Sequence, residues 1–325
     1  MGEMILREAI SKALREALEQ DDRVFLMGED IGPYGGAYAV TRGFFEEYGP
    51  DRIRDTPISE SVFVGAGVGA AMIGLRPVVE LMTINFSLVA IDQIVNHAAK
   101  LSYMSDGQFS IPLIIRTVTG GGGQLAATHS QSFENWYASV PGLKVVAPAT
   151  PYDALGLFRS SRKDNNPIIF TEHALLYRTR GEVPEEYYEV PIGKASITIT
   201  GKDVTLVAYS GMVRVAVEAA ATLASQGISA EVIDLRSLSP LDLDTIIASV
   251  IKTNRAVVIE ETWKTGGFSG TIASSIQELA FDDLDGPVIR INAPDVPAPY
   301  ARNIEQNMIP KSEWVVTAVK HNFGL

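Results

Sequence analysis

Residues 60–81 read Glu-Ser-Val-Phe-Val-Gly-Ala-Gly-Val-Gly-Ala-Ala-Met-Ile-Gly-Leu-Arg-Pro-Val-Val-Glu-Leu. The hydrophobic period changes once within them, and the change decides the fold. Up to Ile73 the pattern is helical, with Ser59 in the position of a cap and Glu60 in the first turn. Gly74 ends it, and residues 77–81 form a short apolar run of strand type. The glycines at 65, 67 and 69, followed by Ala70, fit a relaxed dinucleotide-binding pattern. That pattern needs a strand ending at its first glycine and an acidic residue about 20 positions later. Here the glycines fall inside a helix, where missing side chains let another backbone approach. A nicotinamide site is therefore the weaker reading.

Working outward, the same alternation repeats. Residues 5–18 place Ile5, Leu6, Ala9, Ile10, Ala13, Leu14, Ala17 and Leu18 at helical spacing. Residues 24–27 form a short strand ending in Gly28-Glu29-Asp30, which delivers two carboxylates at its C-terminal end. Open parallel sheets bind ligands at that end. Further strands are expected at 111–115, 143–146 and 168–171, with helices at 90–104 and 152–163 between them. The stretch 178–191 is charged, carries two prolines and lacks a sustained period, so it reads as a linker. A second alternation follows: strands at 204–209, 229–235, 256–260 and 288–292, helices at 213–225, 241–251, 270–280 and 314–320. The expected class is α/β, with two unequal domains in tandem and a mostly parallel sheet in the first.

Composition removes whole classes of function. The 325 residues carry a formal charge of −12, which repels phosphate backbones and makes nucleic acid a poor partner. There is no cysteine, hence no disulfide framework, thiolate metal site or cysteine nucleophile. The amphipathic opening segment has no apolar core and is not the Arg- and Ser-rich, acid-poor leader of a transit peptide. No apolar run approaches ~18 residues. A cytoplasmic, bacterial-type protein without membrane spans is expected. The four histidines, at 97, 129, 173 and 321, never pair at i,i+3 or i,i+4, so zinc lacks ligands. Tyr209-Ser210-Gly211 lacks the flanking glycines of a nucleophile elbow. Gly120–Gly123 is followed by no Gly-Lys-Ser/Thr, so it is no P-loop but a flexible loop beside a site.

Several motifs are hard to explain by packing alone. They are Asp55-Thr-Pro-Ile-Ser-Glu60, Gly74-Leu-Arg-Pro77, Glu80-Leu-Met-Thr-Ile-Asn-Phe86-Ser, Ala127-Thr-His129-Ser-Gln131-Ser, Pro141-Gly-Leu-Lys-Val-Val146 and Thr150-Pro-Tyr-Asp-Ala154. Together, in this order and over essentially the whole chain, they resemble the β subunits of thiamine-diphosphate-dependent 2-oxo acid dehydrogenases. That family comprises the decarboxylating component of the pyruvate dehydrogenase complex and its relatives. The resemblance implies a transketolase-like pyrimidine-binding domain over 1–180, a linker over 181–193 and a transketolase C-terminal domain over 194–325. It also implies oxidoreductase activity: decarboxylation of a 2-oxo acid and reductive acylation of a lipoyl group.

The resemblance assigns roles residue by residue. Glu60 matches the glutamate that hydrogen-bonds N1′ of the aminopyrimidine and promotes its imino tautomer. Burial would raise its pKa toward the range needed for proton exchange. Read alone, Glu60 equally complements a helix N-terminus, worth ~0.3–1 kcal/mol. Phe86 matches the aromatic that stacks on that ring, although by itself it reads as strand-end core. His129 matches the active-site histidine, able to donate to a developing alkoxide or carboxylate and to protonate lipoyl sulfur; a lone loop histidine is otherwise merely solvated. Glu29 resembles the acidic residue lining a water-filled path between paired active sites, or is structural. Leu113, Ser161, Arg162, Asp164 and Asn166 match positions that bind a structural potassium ion in some relatives. Helix capping explains Asp164 and Asn166 equally well.

Partners follow from what is missing. Diphosphate and Mg²⁺ call for a Gly-Asp-Gly motif, and none occurs here; Ser105-Asp-Gly107 comes nearest. The family carries that motif on a separate α subunit, which implies an α2β2 heterotetramer with Mg²⁺ held mainly by α. The resemblance further implies that the acyl acceptor is the lipoyl domain of a dihydrolipoamide acyltransferase, whose subunit-binding domain would dock on the second domain. Residues 281–285, Phe-Asp-Asp-Leu-Asp, are either an acidic docking surface for it or a solvated loop. Residues 82–87 look like pyruvate-type members, and Ala127-Thr128 stands where branched-chain members often carry extra histidines. Pyruvate is thus the first choice of substrate, with branched-chain 2-oxo acids and acetoin as alternatives. A non-catalytic subunit of the same fold is the rival from another class.

Overall fold

The strand Val24–Gly28 is buried at every position, as an apolar run covered by helices on both faces must be. In this computed structural model, which describes residues 2–325, the chain forms two compact units. One comprises the residues up to Thr119 together with Trp136–Ile192. The other comprises Gly120–Asn135 and Gly193–Leu325.

The first unit is built on parallel strands in the spatial order Lys144–Val146, Ile168–His173, Ile114–Thr119, Arg76–Leu81, Val24–Gly28, Ile53–Asp55. Register sets the chemistry. Gly28 lies opposite both Asp55 and Glu80, and Glu80 lies opposite Arg116, so the polar residues collect where the strands end. The helix Leu6–Gln20 packs on the helix Pro151–Ser161. Arg159 forks onto Glu16 with two 2.7 Å bonds there. The helix Glu60–Met72 lies on the strand Arg76–Leu81. A Cβ at Gly67 would come 2.7 Å from Val79 Cγ2, whereas one at Gly69 would meet open space. Only part of the glycine pattern is demanded by packing.

Two expectations are corrected in this unit. The segment expected to be a linker contributes a strand, Arg180–Val183, antiparallel to Gly2–Ile5. Val183 and Val190 are buried in the core, so the prolines and charges mark the surface of an attached segment rather than a tether. The helix expected over 90–104 is split into a π-helical turn, Gln93–Ala98, and a short helix, Leu101–Met104.

The second unit carries strands in the order Ile289–Ala293, Ala256–Trp263, Val204–Ala208, Ala230–Asp234, Ser196–Ile199. All run parallel except the last, which pairs antiparallel. Helices Gly211–Ala224, Leu243–Thr253, Phe268–Leu279 and Ser312–Phe323 complete it. Glu260 closes the N-terminus of Phe268–Leu279, accepting from the backbone of Phe268 and Ser269 and from Tyr209 Oη.

Candidate active site

Glu60 opens its helix and is 6 % exposed; Glu29 follows its strand and is equally buried. The chain turns away at once, because Asp30 adopts φ = +54°. Ser59 makes no side-chain cap, so the helix N-terminus is left to groups other than the expected hydroxyl. Glu29 and Glu60 share a hydrogen bond, and Glu29 Oε1 has no partner among the described residues. Burial, the charge of Glu60, that hydrogen bond and the charge of Asp30 push the Glu29 carboxyl up to about 7. Two carboxyls a hydrogen bond apart cannot both ionise cheaply. A raised carboxyl beside a second buried acid is the arrangement found where protons are exchanged.

One strand away, a second set of carboxylates is treated in the opposite way. Arg116, 2 % exposed, sends Nε and Nη2 to Glu172 at 2.6 and 2.9 Å and Nη1 to Glu80. Tyr177 Oη donates to Glu172 at 2.7 Å, and the Tyr177 ring lies 5.3 Å from that of Tyr38. Sequence reading did not single out Arg116, Glu172 or Tyr177. The available signal was a charged residue inside each of two otherwise apolar strand runs, Ile114–Thr119 and Ile168–His173.

Phe86 lies half-buried in the 3₁₀ turn Ile84–Leu88, just after the strand that carries Glu80. Thr83 Oγ1 accepts from the backbone of Asn85, which fixes the turn. The structure thus puts Glu29, Glu60 and Phe86 in the first unit. His129 belongs to the second, on the segment Gly120–Asn135. It is exposed, with Thr128 Oγ1 2.9 Å from its Nδ1. The glycine-rich start of this segment cradles carboxylates of its own unit. Gly121 N–H donates to Glu261 at 2.7 Å, and the N–H groups of Gly122 and Gln124 donate to Glu305 at 3.0 Å each.

The residues matched to a potassium site converge beyond the helix Pro151–Ser161, and protein cations already reach them. Arg76 donates to the carbonyls of Arg162 and Asp164 at 3.0 and 2.6 Å and to Asn165 Oδ1 at 3.1 Å. Lys144 pairs with the Asp164 carboxylate, which also accepts from Asn166. Ser161 Oγ bonds back to Leu157 O, and Leu113 O accepts from Ile168. A carbonyl oxygen retains a second lone pair, so these contacts leave room for a further ligand interaction. In the second unit, Asp285 pairs with Arg255 at 2.6 Å while Asp282 is exposed. Among the described residues no helix is long and apolar enough to cross a membrane.

The transketolase pyrimidine-binding domain family matches residues 3–180, and the transketolase C-terminal domain family matches residues 193–315. Pyruvate dehydrogenase E1 component subunit beta-2, mitochondrial, of Oryza sativa subsp. japonica is 50 % identical over 322 residues, covering 98 % of this chain and 86 % of its own. Pyruvate dehydrogenase E1 component subunit beta of Rickettsia bellii (strain RML369-C) is 47 % identical over 318 residues, 98 % of each chain. Among solved structures, a split-gene transketolase described as an inactive β4 tetramer superposes with TM-score 0.80 at 23 % identity, over 100 % of this chain and 99 % of that one. Transketolase of Campylobacter jejuni subsp. jejuni NCTC 11168 gives 0.72 at 13 % identity, over 98 % of this chain and 47 % of that one. The solved structures carry the fold, and the sequence relatives carry the branch. The chain belongs to the transketolase family, among the β subunits of the pyruvate dehydrogenase E1 component.

Proposed function

We propose that this chain is the β half of an α2β2 2-oxo acid dehydrogenase that decarboxylates pyruvate and transfers the acetyl group to a lipoyl arm of a dihydrolipoamide acyltransferase. The observation that carries the reading is the buried Glu29–Glu60 pair, in which Glu29 Oε1 has no partner among the described residues. Such a pair fits a heteroaromatic base that exchanges protons, and the half-buried ring of Phe86 fits its flat face. Thiamine diphosphate, when bound, supplies a thiazolium carbanion that attacks the 2-oxo carbon. Glu60 would hold the aminopyrimidine N1′ and pass a proton to and from it. Glu29 would store that proton, since its pKa of about 7 lets it do so at neutral pH. His129 would donate to the developing oxyanion and to the lipoyl sulfur.

Diphosphate and Mg²⁺ would rest mainly on the α subunit, because this sequence lacks Gly-Asp-Gly. Tight binding of thiamine diphosphate and Mg²⁺ to the isolated chain, seen by calorimetry, would remove that part of the reading. The domains are taken as 1–180 and 194–325, and residence as cytoplasmic. A potassium ion on Leu113, Ser161, Arg162, Asp164 and Asn166 is the least supported part, since Arg76 and Lys144 already serve these oxygens. Equal thermal stability in potassium and tetramethylammonium salts would dispose of it.

Replacing Glu60 with Gln tests the whole proposal. General acid–base catalysis contributes about 10²–10⁴-fold, so the assembled Glu60→Gln enzyme should lose turnover by that factor while still forming the α/β complex. Unchanged turnover would instead support a non-catalytic subunit. One methylene separates competing 2-oxo acids by only ~1–3 kcal/mol in a pocket. Comparing pyruvate, 3-methyl-2-oxobutanoate and acetoin with the α/β pair therefore decides the substrate.

A further inference from the structure

The segment that carries His129 lacks regular structure until the helix Glu134–Ala138. Its backbone is bent into the left-handed region four times, at Gly120, Gly122, Gln124 and Ala126, with φ of +91°, +90°, +57° and +64°. Two of these are not glycine, and such conformations persist only where the surroundings impose them. Alternating left-handed residues turn neighbouring N–H groups toward one side, which makes a concave seat for an anion. Here the anion belongs to the protein. Glu305, 2 % exposed, uses both oxygens: Oε1 accepts from Gly122 at 3.0 Å, and Oε2 accepts from Gln124 at 3.0 Å. Glu261 takes the neighbouring N–H of Gly121. Packing does less, because a cavity of about 40 Å³, lined by Gly121, Ser130, Trp263 and Ile309 among others, lies beside the loop, and Ser130 Oγ is unpartnered.

We propose that Glu305, assisted by Glu261, is the positioning residue for His129: its carboxylate clamps the start of the loop and fixes where the imidazole is presented. This rests on the reading of His129 given above. The carboxylate is needed for its two acceptor oxygens, so Glu305→Gln is the informative change. Glutamine keeps the size but offers one oxygen and turns an NH₂ toward an N–H donor. The fold should survive it, since helices and sheet of this unit do not depend on the bond.

The test uses the assembled α/β enzyme. Hydrogen exchange at Gly122 and Gln124 should speed up by at least about 10-fold in Glu305→Gln, with the amides of Val204–Ala208 unchanged. Small displacements of a catalytic group cost up to about 10²-fold, so kcat for acyl transfer from pyruvate to a lipoylated domain should drop about 10–100-fold with little change in KM. In a His129→Ala background the same substitution should cost nothing further, because it acts through the missing imidazole. Unchanged exchange at Gly122 and Gln124, or losses that multiply in the double variant, would overturn the proposal alone. Wild-type turnover in His129→Ala would overturn the reading of His129 and this proposal with it.

Discussion

Two sets of buried carboxyls stand in the first unit, one on its strands and one where a strand ends and a helix begins, and they are kept in different ways. Glu80 and Glu172 share one guanidinium, and Tyr177 adds a hydroxyl. Glu29 and Glu60 share a hydrogen bond with each other, and Glu29 Oε1 has no partner among the described residues. The first set is compensated and holds structure. In the second, the Glu29 carboxyl is pushed up to about 7 by burial and by the neighbouring acids. The visible difference between the sets is the guanidinium of Arg116, which only the first has.

The largest effect should come from removing that cation. Arg116→Met leaves two carboxyls buried without a counter-charge, a change that costs about 3–5 kcal/mol in comparable cases. Denaturant unfolding at pH 7 measures it. Burial already pushes the Glu80 carboxyl up, and Arg116 restrains the shift, so without the arginine acidification should recover part of the lost stability. Adding Glu80→Gln and Glu172→Gln to Arg116→Met should do the same at neutral pH. A loss below 1 kcal/mol would mean that the network is not what separates the two sets.

On the Glu29 side the substitution, not the pH response, has the opposite sign: removing the charge should stabilise the fold. The Glu29 carboxyl is raised from 4.5 to about 7 in the folded chain. Between those values the folded state binds more protons than the unfolded one, so stability falls as pH climbs. Below about pH 4.5 the group contributes nothing, and above about pH 7 the full penalty applies, on the order of 2 kcal/mol once residual solvent screening is allowed for. Glu29→Gln mimics the protonated form and should therefore be more stable than wild type at pH 8 and indistinguishable from it near pH 4. If thermal unfolding gives the two chains parallel pH profiles, Glu29 is not a destabilised acid.

These two sets also divide what was legible in the sequence. The strand at Val24–Gly28 and the helix at Glu60–Met72 were plain from apolar periods and from the glycine that stops the helix. Glu29 and Glu60 fell at their termini, where a carboxylate stands out. Arg116 and Glu172 did not, because a charge inside an apolar strand declares itself only when a register partner is known, and register is a property of the sheet. Gly120–Gly123 reads locally as a flexible loop beside a site. Its attachment to Glu261 and Glu305 spans more than a hundred positions of chain, and no local pattern encodes it. The strand Arg180–Val183 was hidden for a similar reason: its partner is Gly2–Ile5 at the other end of the unit.

A third state of a carboxylate, paired but exposed, completes the comparison and carries the smallest effect. Asp285 meets Arg255 at 2.6 Å with its side chain 54 % exposed. Water competes for both partners there, and such pairs contribute about 0.2–1 kcal/mol. Asp285→Asn should therefore shift the midpoint of thermal unfolding barely beyond error, and less still in high salt. The same exposure is what an acidic docking surface needs, because a charge already neutralised in the interior steers nothing. Asp282, exposed beside it, should then matter more to assembly than Asp285, whose charge Arg255 partly cancels. Charge reversal at Asp282 should weaken association with the acyltransferase at low salt, and reversal at Asp285 should weaken it less. Equal and negligible effects at both would leave residues 281–285 as a solvated loop.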